Sequence, residues 1–508
     1  MRRVLGPRLR LHVWGALLLL ASPAWAQEAP EETTEEAEEG PSHPGAFPGV
    51  SEWAEAFVEA TARHWGGRVT PRPEPRPRPE SAQFLDGLRV RVHAGEAVPE
   101  AKLAEVLALA EATGARLVSE GWPEPLPDGG LGGTNAFDVY LAPTDGLGEA
   151  RSDGPASWSL LDADVAHVVI DPGLGGDELE AAIVDAWVRA LTLNLDPAEA
   201  STWREATGAW MAWMHLGRFG PADALEAQQS HPERAWVDDV HGDGGALLLA
   251  LVSGRHDGGT GTFVRDLWQL TRQRTWEGTD LRASPDLWEC LDVTTEHAGL
   301  RLFDLVADLS VARFFLGERD AQAVFPDLRG LGPMATPPVT FRASLAQMPV
   351  HTRPGAELAP LGSGYALVDV RGAPANSRLR VWLRGEYGVQ WSLVALRLDA
   401  EGRERGRIAA PPRRGDHRSY VPVELEADTA TVLVAVTNLS HRLPDADDPD
   451  PNGRAWRLIL DLVEEGRKKR SRRRSNAAHA PSRCPARARA RAGARAGARA
   501  GACARDDL

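Results

Sequence analysis

Residues 177–215, DELEAAIVDAWVRALTLNLDPAEASTWREATGAWMAWMH, decide the reading of the fold. Leu179, Ala182, Ile183, Ala186, Trp187, Ala190 and Leu191 recur at three- and four-residue steps, which lays one apolar stripe along an α-helix. Asp177 and Glu180 read as a capping box at its start. The Asp196-Pro197 step ends the run, because proline has no backbone donor and drives the preceding residue out of helical geometry. A second helix follows, with Thr202 and Glu205 as another capping box. Its Trp210, Met211, Trp213 and Met214 read as core rather than as a ligand platform.

Working outward, the upstream signals alternate. A strand is expected over Leu88–His93, a helix over Pro99–Thr113, and further strands over Phe137–Leu141 and His167–Ile170. Downstream, the chain reads as helical almost without interruption to Leu316. Strands followed by helices imply an α+β domain over residues 81–330, and Cys290 within it reads as a small buried hydrophobe. Residues 331–352, with Pro333, Pro337, Pro338 and Pro349, read as a linker. Residues 353–465 then show short β-branched and aromatic runs at Tyr365–Val370, Arg378–Leu383, Gln390–Leu398, Tyr420–Leu425, Ala430–Val436 and Trp456–Leu462. Turn residues separate them, the pattern of an all-β sandwich.

The ends of the chain have different chemistry. Arg2, Arg3, Arg8 and Arg10 precede an apolar run from Val13 to Leu20 and small residues at Ala24 and Ala26, so residues 1–26 read as a secretory signal peptide. Residues 27–50 are acidic and too poor in apolar side chains to order themselves. A short amphipathic helix is expected over 51–66, and a stiff proline-rich linker over 67–80. Residues 466–508 form a basic low-complexity tail, with 14 Arg and Lys against two acids from residue 467 onward. The overall charge of −15 therefore hides an acidic body, which argues against nucleic acid as its partner. No later stretch reaches the roughly 20 apolar residues of a membrane span. The expected location is periplasmic or extracellular.

Several segments resemble the secreted zinc metalloproteases found in myxobacteria and their relatives. They are GWPEPLPDGG at 121–130, FDVYL at 137–141, the Trp203–Met211 stretch, and GGALLLAL at 244–251. The resemblance covers roughly residues 81–465 and implies a zincin-like α+β domain ahead of the sandwich. In that family the first helix carries His-Glu-x-x-His. Histidines at i and i+4 share one helix face and one zinc, the intervening glutamate deprotonates the bound water, and a glutamate of the second helix supplies a third ligand. Laid on that pattern, Asp185 stands at the first histidine, Ala186 at the glutamate and Arg189 at the second histidine. Glu205 alone keeps its identity.

These departures imply a degenerate site. Ala186 removes a general base typically worth 10² to 10⁴ in rate. A guanidinium about 4 Å from a divalent ion repels it by roughly 8 kcal/mol at an effective dielectric of 20. No histidine lies between His167 and His215, so no shift of alignment restores the motif. No metal or cofactor is expected. Two arrangements remain open. Arg189 pairs with Asp185 on its own helix and with Glu205 across the helix pair, replacing metal by an ion triad; or Asp185–Arg189 is a solvated i,i+4 pair and Glu205 only caps its helix.

Two weaker signals resemble cation sites. Asp448-Pro-Asp-Pro-Asn-Gly453 opens like a calcium loop, but Ile459 stands where the closing acid belongs, which favours an acidic turn. Asp238, Asp239, His241 and Asp243 fit a polar turn as well as a cation site. The expected function is accordingly non-catalytic: an exported metalloprotease-like protein that binds a protein, peptide or polysaccharide. A hydrolase using Asp185 and Glu205 in a rebuilt cleft, and carbohydrate or protein binding by the sandwich, are the alternatives.

Overall fold

The computed structural model describes residues 73, 75–78 and 82–464. Within that span it excludes 145, 157, 160, 162, 221, 237, 239, 240, 273–284, 318–323, 326, 327, 329–335, 354, 411–416 and 441–451. The expected signal peptide, acidic segment, amphipathic helix and basic tail, and all but the end of the calcium-like loop, lie outside the described residues.

The α+β part is built on a five-stranded sheet in the order β1-β2-β3-β5-β4. Its strands are β1 (Ala82–Asp86), β2 (Val90–Gly95), β3 (Phe137–Leu141), β4 (Gly148–Pro155) and β5 (Asp164–Ile170). β2, β3 and β5 run parallel, whereas β1 and β4 are antiparallel edges. Side chains alternate across a strand. Val90, Val92, Phe137, Val139, Leu141, Val168 and Ile170 therefore join the helical core on one face. Arg91, His93, Asp138, Tyr140 and His167 are left for the other.

Helices α1 (Glu100–Ser119) and α2 (Gly176–Leu195) pack on the apolar face, and α3 (Ser201–Leu216) packs on α2. Helices α4 (Ala222–Ser230), α5 (Ala246–His256), α6 (Thr262–Thr271), α7 (Leu287–His297) and α8 (Leu302–Ala312) complete the body. Trp187, Trp203, Trp210, Met211 and Trp213 are all buried in this core, and so is Cys290, whose thiol burial pushes up to about 12.

Local structure departs from expectation where tertiary contacts intervene. α1 continues past Thr113 through Gly114, whose missing side chain makes room for the Trp187 indole: a Cβ there would stand 2.6 Å from Cζ2. β4 escapes a sequence reading because Gly148, Gly154 and Pro155 are strand breakers, tolerated here at an edge that carries a bulge at Asp153. Neither expected capping box forms. α2 starts after Gly175 without a side-chain cap, and α3 starts after Ala200, leaving the Thr202 hydroxyl without a partner. The acid at that second start is Glu199, which accepts from the backbone of Ala200 and of Leu287 on α7.

The C-terminal part is β-rich, with two facing sheets. One has the order β11-β10-β13-β8-β6, the other β12-β9-β14-β7. The strands are β6 (Val339–Ser344), β7 (Val350–Thr352), β8 (Ser363–Asp369), β9 (Ser377–Gly385), β10 (Gln390–Leu398), β11 (Glu404–Ala409), β12 (Arg418–Glu424), β13 (Thr431–Ser440) and β14 (Trp456–Glu464). Each of the six expected runs is a strand. β11 went unread because an edge strand of Glu, Arg and Gly shows little apolar alternation. β6 and β7, expected within the 331–352 linker, belong instead to the sandwich, where β6 runs parallel to β8 and β7 pairs with β14. Between the sheets lies a core including Val381, Leu383, Trp391, Val421, Val434 and Leu458. A separate apolar cluster, with Val311, Phe314, Phe315, Tyr365, Leu396 and Leu433, joins the sandwich to α8. The Tyr365 hydroxyl donates to the Ser310 carbonyl at 2.5 Å across that junction.

Candidate functional site

α2 and α3 cross where Gly208 faces Asp185. A Cβ at residue 208 would stand 2.2 Å from Asp185 Oδ1 and 3.0 Å from Arg189 Cγ, so glycine at this point is what lets the helices approach. A mid-helix glycine costs about 1 kcal/mol against alanine, and here the cost is offset by the contact it permits.

At this crossing Arg189 is held by carboxylates. Its Nη2 lies 2.9 Å from Asp185 Oδ2, its Nε donates to Asp185 Oδ1 at 3.1 Å, and its Nη2 reaches Asp243 Oδ1 at 2.6 Å. Asp243 belongs to the 3₁₀ turn Gly242–Gly245 ahead of α5. Glu205 lies against this turn, with Oε2 2.9 Å from where a Gly242 Cβ would be, and its charge also favours the Arg189 guanidinium. The expected Asp185–Arg189 pair thus forms, and the acid that the sequence reading did not assign to it is Asp243. The pair is not solvated: the side chains of Arg189 and Asp185 are 19% and 14% exposed. Burial disfavours the Arg189 charge, but Asp185, Asp243 and Glu205 outweigh it and raise its pKa. Burial likewise pushes the Asp185 carboxyl up to about 7, with Arg189 opposing the shift and Asp243 and Glu205 adding to it.

Ala186, expected from the resemblance to stand where a general base would be, is fully buried. Its methyl lies 3.4 Å from the Cβ position of Gly148 at the start of β4, so the residue packs helix against edge strand and carries no ionisable group.

Beside this cluster opens a cavity of about 310 Å³. Its walls are Glu149, Ala150, Arg151 and Ser152 of β4, Arg189 and Leu193 of α2, and Ser201, Arg204 and Glu205 of α3. Arg151 pairs with Glu149 at 2.7 Å. Burial pulls the Arg204 pKa down, against Glu199, Asp196 and Glu205, which hold its charge. The cavity therefore offers arginines and carboxylates beside β4, the strand at the end of its sheet. Asp185 stands behind Arg189 and does not line it.

Of the four residues read as a possible cation turn, the three described do not converge. Asp243 serves Arg189, Asp238 pairs with Arg234 at 3.1 Å, and His241 is buried, stacked on Trp236 with its pKa lowered to about 4 by burial; Asp239 lies outside the described residues. Among the described residues, no group of three His, Cys, Asp or Glu is placed to hold a metal ion, and no helix is long and apolar enough to cross a membrane.

The sandwich carries its own surface feature. Tyr420, Trp382 and Ile459 are cross-strand neighbours in the β12-β9-β14 sheet, with the Tyr420 and Trp382 rings 5.2 Å apart. Arg380, itself paired with Asp461, lies over Trp382 at 4.7 Å, and Tyr387 nearby in sequence is 81% exposed.

No protein-family model matches this chain, and no curated protein matches it. Among solved structures, a mitogen from Yersinia pseudotuberculosis is similar at 12% identity and TM-score 0.16, covering 23% of this chain and 89% of that one. The surface-associated copper-binding protein CorA of Methylomicrobium album BG8 is similar at 7% identity and TM-score 0.16, covering 24% of this chain and 98% of that one. A β-glucosidase from Paenibacillus barengoltzii is similar at 11% identity and TM-score 0.13, covering 34% of this chain and 17% of that one. Likeness at this level carries no argument about function.

Proposed function

We propose that this chain is an exported, metalloprotease-like protein whose zincin-like cleft binds an extended polypeptide without cleaving it. The observation that carries the reading is the Arg189 clasp. Where the proteases that the sequence resembles place histidines and zinc, a guanidinium gripped by Asp185 and Asp243 fills the helix crossing. A cation fixed there repels a divalent ion, and Ala186 offers no base to activate water. What the cleft retains is the edge of β4. An edge strand has unpaired backbone donors and acceptors on its outer side, and an extended peptide satisfies them by adding a strand. Glu205, Arg204 and Arg151 line the same cleft and supply charged groups for the bound side chains.

The test combines metal content, cleavage and binding. The purified chain is incubated with zinc, dialysed, analysed for metal, and mixed with unfolded casein as a substrate. The expected result is substoichiometric zinc and intact casein, with slowed amide exchange over Glu149–Ser152. One zinc per chain with chelator-sensitive cleavage overturns the reading.

The Tyr420–Trp382–Ile459 row supports a second reading, polysaccharide binding by the sandwich, because sugar rings stack on exposed aromatic faces. Retention on immobilised polysaccharide that Trp382→Ala abolishes supports it, and absence of retention of the unaltered chain removes it.

A further inference from the structure

The face of the five-stranded sheet turned away from the helices holds a second clasped arginine, and this one comes from outside the sheet. Arg76 lies in the proline-rich segment. Its Nε and Nη2 donate to the two oxygens of Asp153 at 2.8 and 2.6 Å, its Nη2 meets Asp128 Oδ2 at 2.8 Å, and its Nη1 reaches Asp138 and, at 3.3 Å, the Tyr140 hydroxyl. The Arg76 side chain is 12% exposed, while its neighbours Pro73, Pro75 and Arg78 are exposed.

Each aspartate of the pocket is also held by a group other than Arg76. Asp128 is oriented by the backbone N–H groups of Gly130 and Gly132 at 2.8 and 3.1 Å. Asp138 is held by His93 Nε2 at 2.7 Å, with Tyr140 stacked on His93. Asp153, on the bulge of β4, is held by His167 Nδ1 at 3.0 Å. Burial pushes Asp128 above the usual carboxylate range, helped by a hydrogen bond shared with Asp138. Burial acts the same way on Asp138 and Asp153, yet hydrogen bonds from the histidines and Arg76 bring both below it. Emptied of its arginine, the pocket is three carboxylates crowded together, an arrangement that favours recapture of a cation. The bidentate fork on Asp153 with further donors to Asp138 and Asp128 matches a planar guanidinium, which a compact ammonium does not reproduce.

We propose that this three-aspartate pocket is a receptor for a proline-flanked arginine, filled by the chain's own strap, and that it accepts the strap of a second copy when its own is withdrawn. The second copy is the occupant because the chain itself carries the ligand: Arg72, Arg76 and Arg78 alternate with prolines, a composition that favours an extended chain. In cis the strap acts at an effective concentration in the millimolar range, roughly, so exchange requires its release.

The test uses full-length chains. Arg76→Ala empties the pocket, and a labelled peptide of residues 73–79, PEPRPRP, is titrated by fluorescence anisotropy. The expected result is saturable binding to Arg76→Ala, at least tenfold weaker binding to the unaltered chain, and loss of roughly tenfold or more when the peptide arginines become lysines. Mixing Arg76→Ala with Asp153→Asn, which keeps a strap but lacks the fork acceptor, is expected to give a one-to-one complex by sedimentation. Peptide binding without that complex overturns the second copy as occupant. A folded Arg76→Ala chain that binds no peptide, or that binds calcium or zinc instead, overturns the receptor. Should Arg76→Ala lose its fold, millimolar peptide is expected to restore it, and failure to restore it overturns the proposal too.

Discussion

Two arginines in this molecule are clasped by aspartates, and they are held in opposite ways. Arg189 takes one partner four residues away on its own helix and another from a turn packed on the neighbouring helix α3, so the clasp is part of the helical core. Arg76 reaches partners 52 to 77 residues away, on strands and loops of a sheet it does not belong to. The same chemistry is thus a fixed part of the core at one site and a removable anchor at the other. Breaking a buried ion pair from one side strands the other charge, and the cost depends on whether water can reach it afterwards.

The largest expected effect tests the first half of that contrast. Arg189→Ala leaves Asp185 and Asp243 without their cation and is expected to cost about 3 to 4 kcal/mol of unfolding free energy. Urea denaturation measures this, and a cost below about 1 kcal/mol shows the cluster to be solvated after all.

The next effect concerns an acid with no clasp. Asp164 is fully buried, and although Ser152 donates to its Oδ2, its Oδ1 has no partner, so burial pushes its pKa up to about 6. A folded-state pKa above the unfolded value near 3.9 favours the fold at low pH, and that advantage is lost as pH rises through about 6. Asp164→Asn is therefore expected to be more stable than the parent at pH 8 by about 3 kcal/mol, with the gap closing toward pH 4. Equal stability curves at both pH values contradict it.

Arg76→Ala is expected to cost less, about 1 to 2 kcal/mol, because the departing strap opens the three aspartates to water. A cost equal to that of Arg189→Ala erases the difference between the two clasps. The smallest effect is at Asp177, expected from sequence to cap α2 but found 72% exposed beside Arg218. Asp177→Ala is expected to change stability by less than about 0.5 kcal/mol.

Legibility from sequence followed the range of the contacts. Asp185 and Arg189 were readable as a pair because four residues on a helix is one turn. Asp243 was noticed for its polar neighbours, but nothing in the sequence assigned it to a residue 54 positions away. Arg76 looked like one arginine among several in a linker, and its three aspartates were unremarked, since Asp128 lay in a segment noted only for its resemblance and Asp138 in a run read only as a strand and a segment of resemblance. β4, which carries Asp153 and walls the cleft, was hidden by its own glycines and proline.

The sequence by itself determined the helical stripe of α2 and α3, the alternating strands of the sandwich and the absence of His-Glu-x-x-His, because periodicity and residue identity are local properties. Only the tertiary structure decided which acids meet which arginines, that Gly208 brings α2 and α3 together, and that a proline-rich strap anchors in the sheet. Those outcomes depend on where distant segments stop in space, and a guanidinium finds its carboxylates by distance, not by their place in the chain.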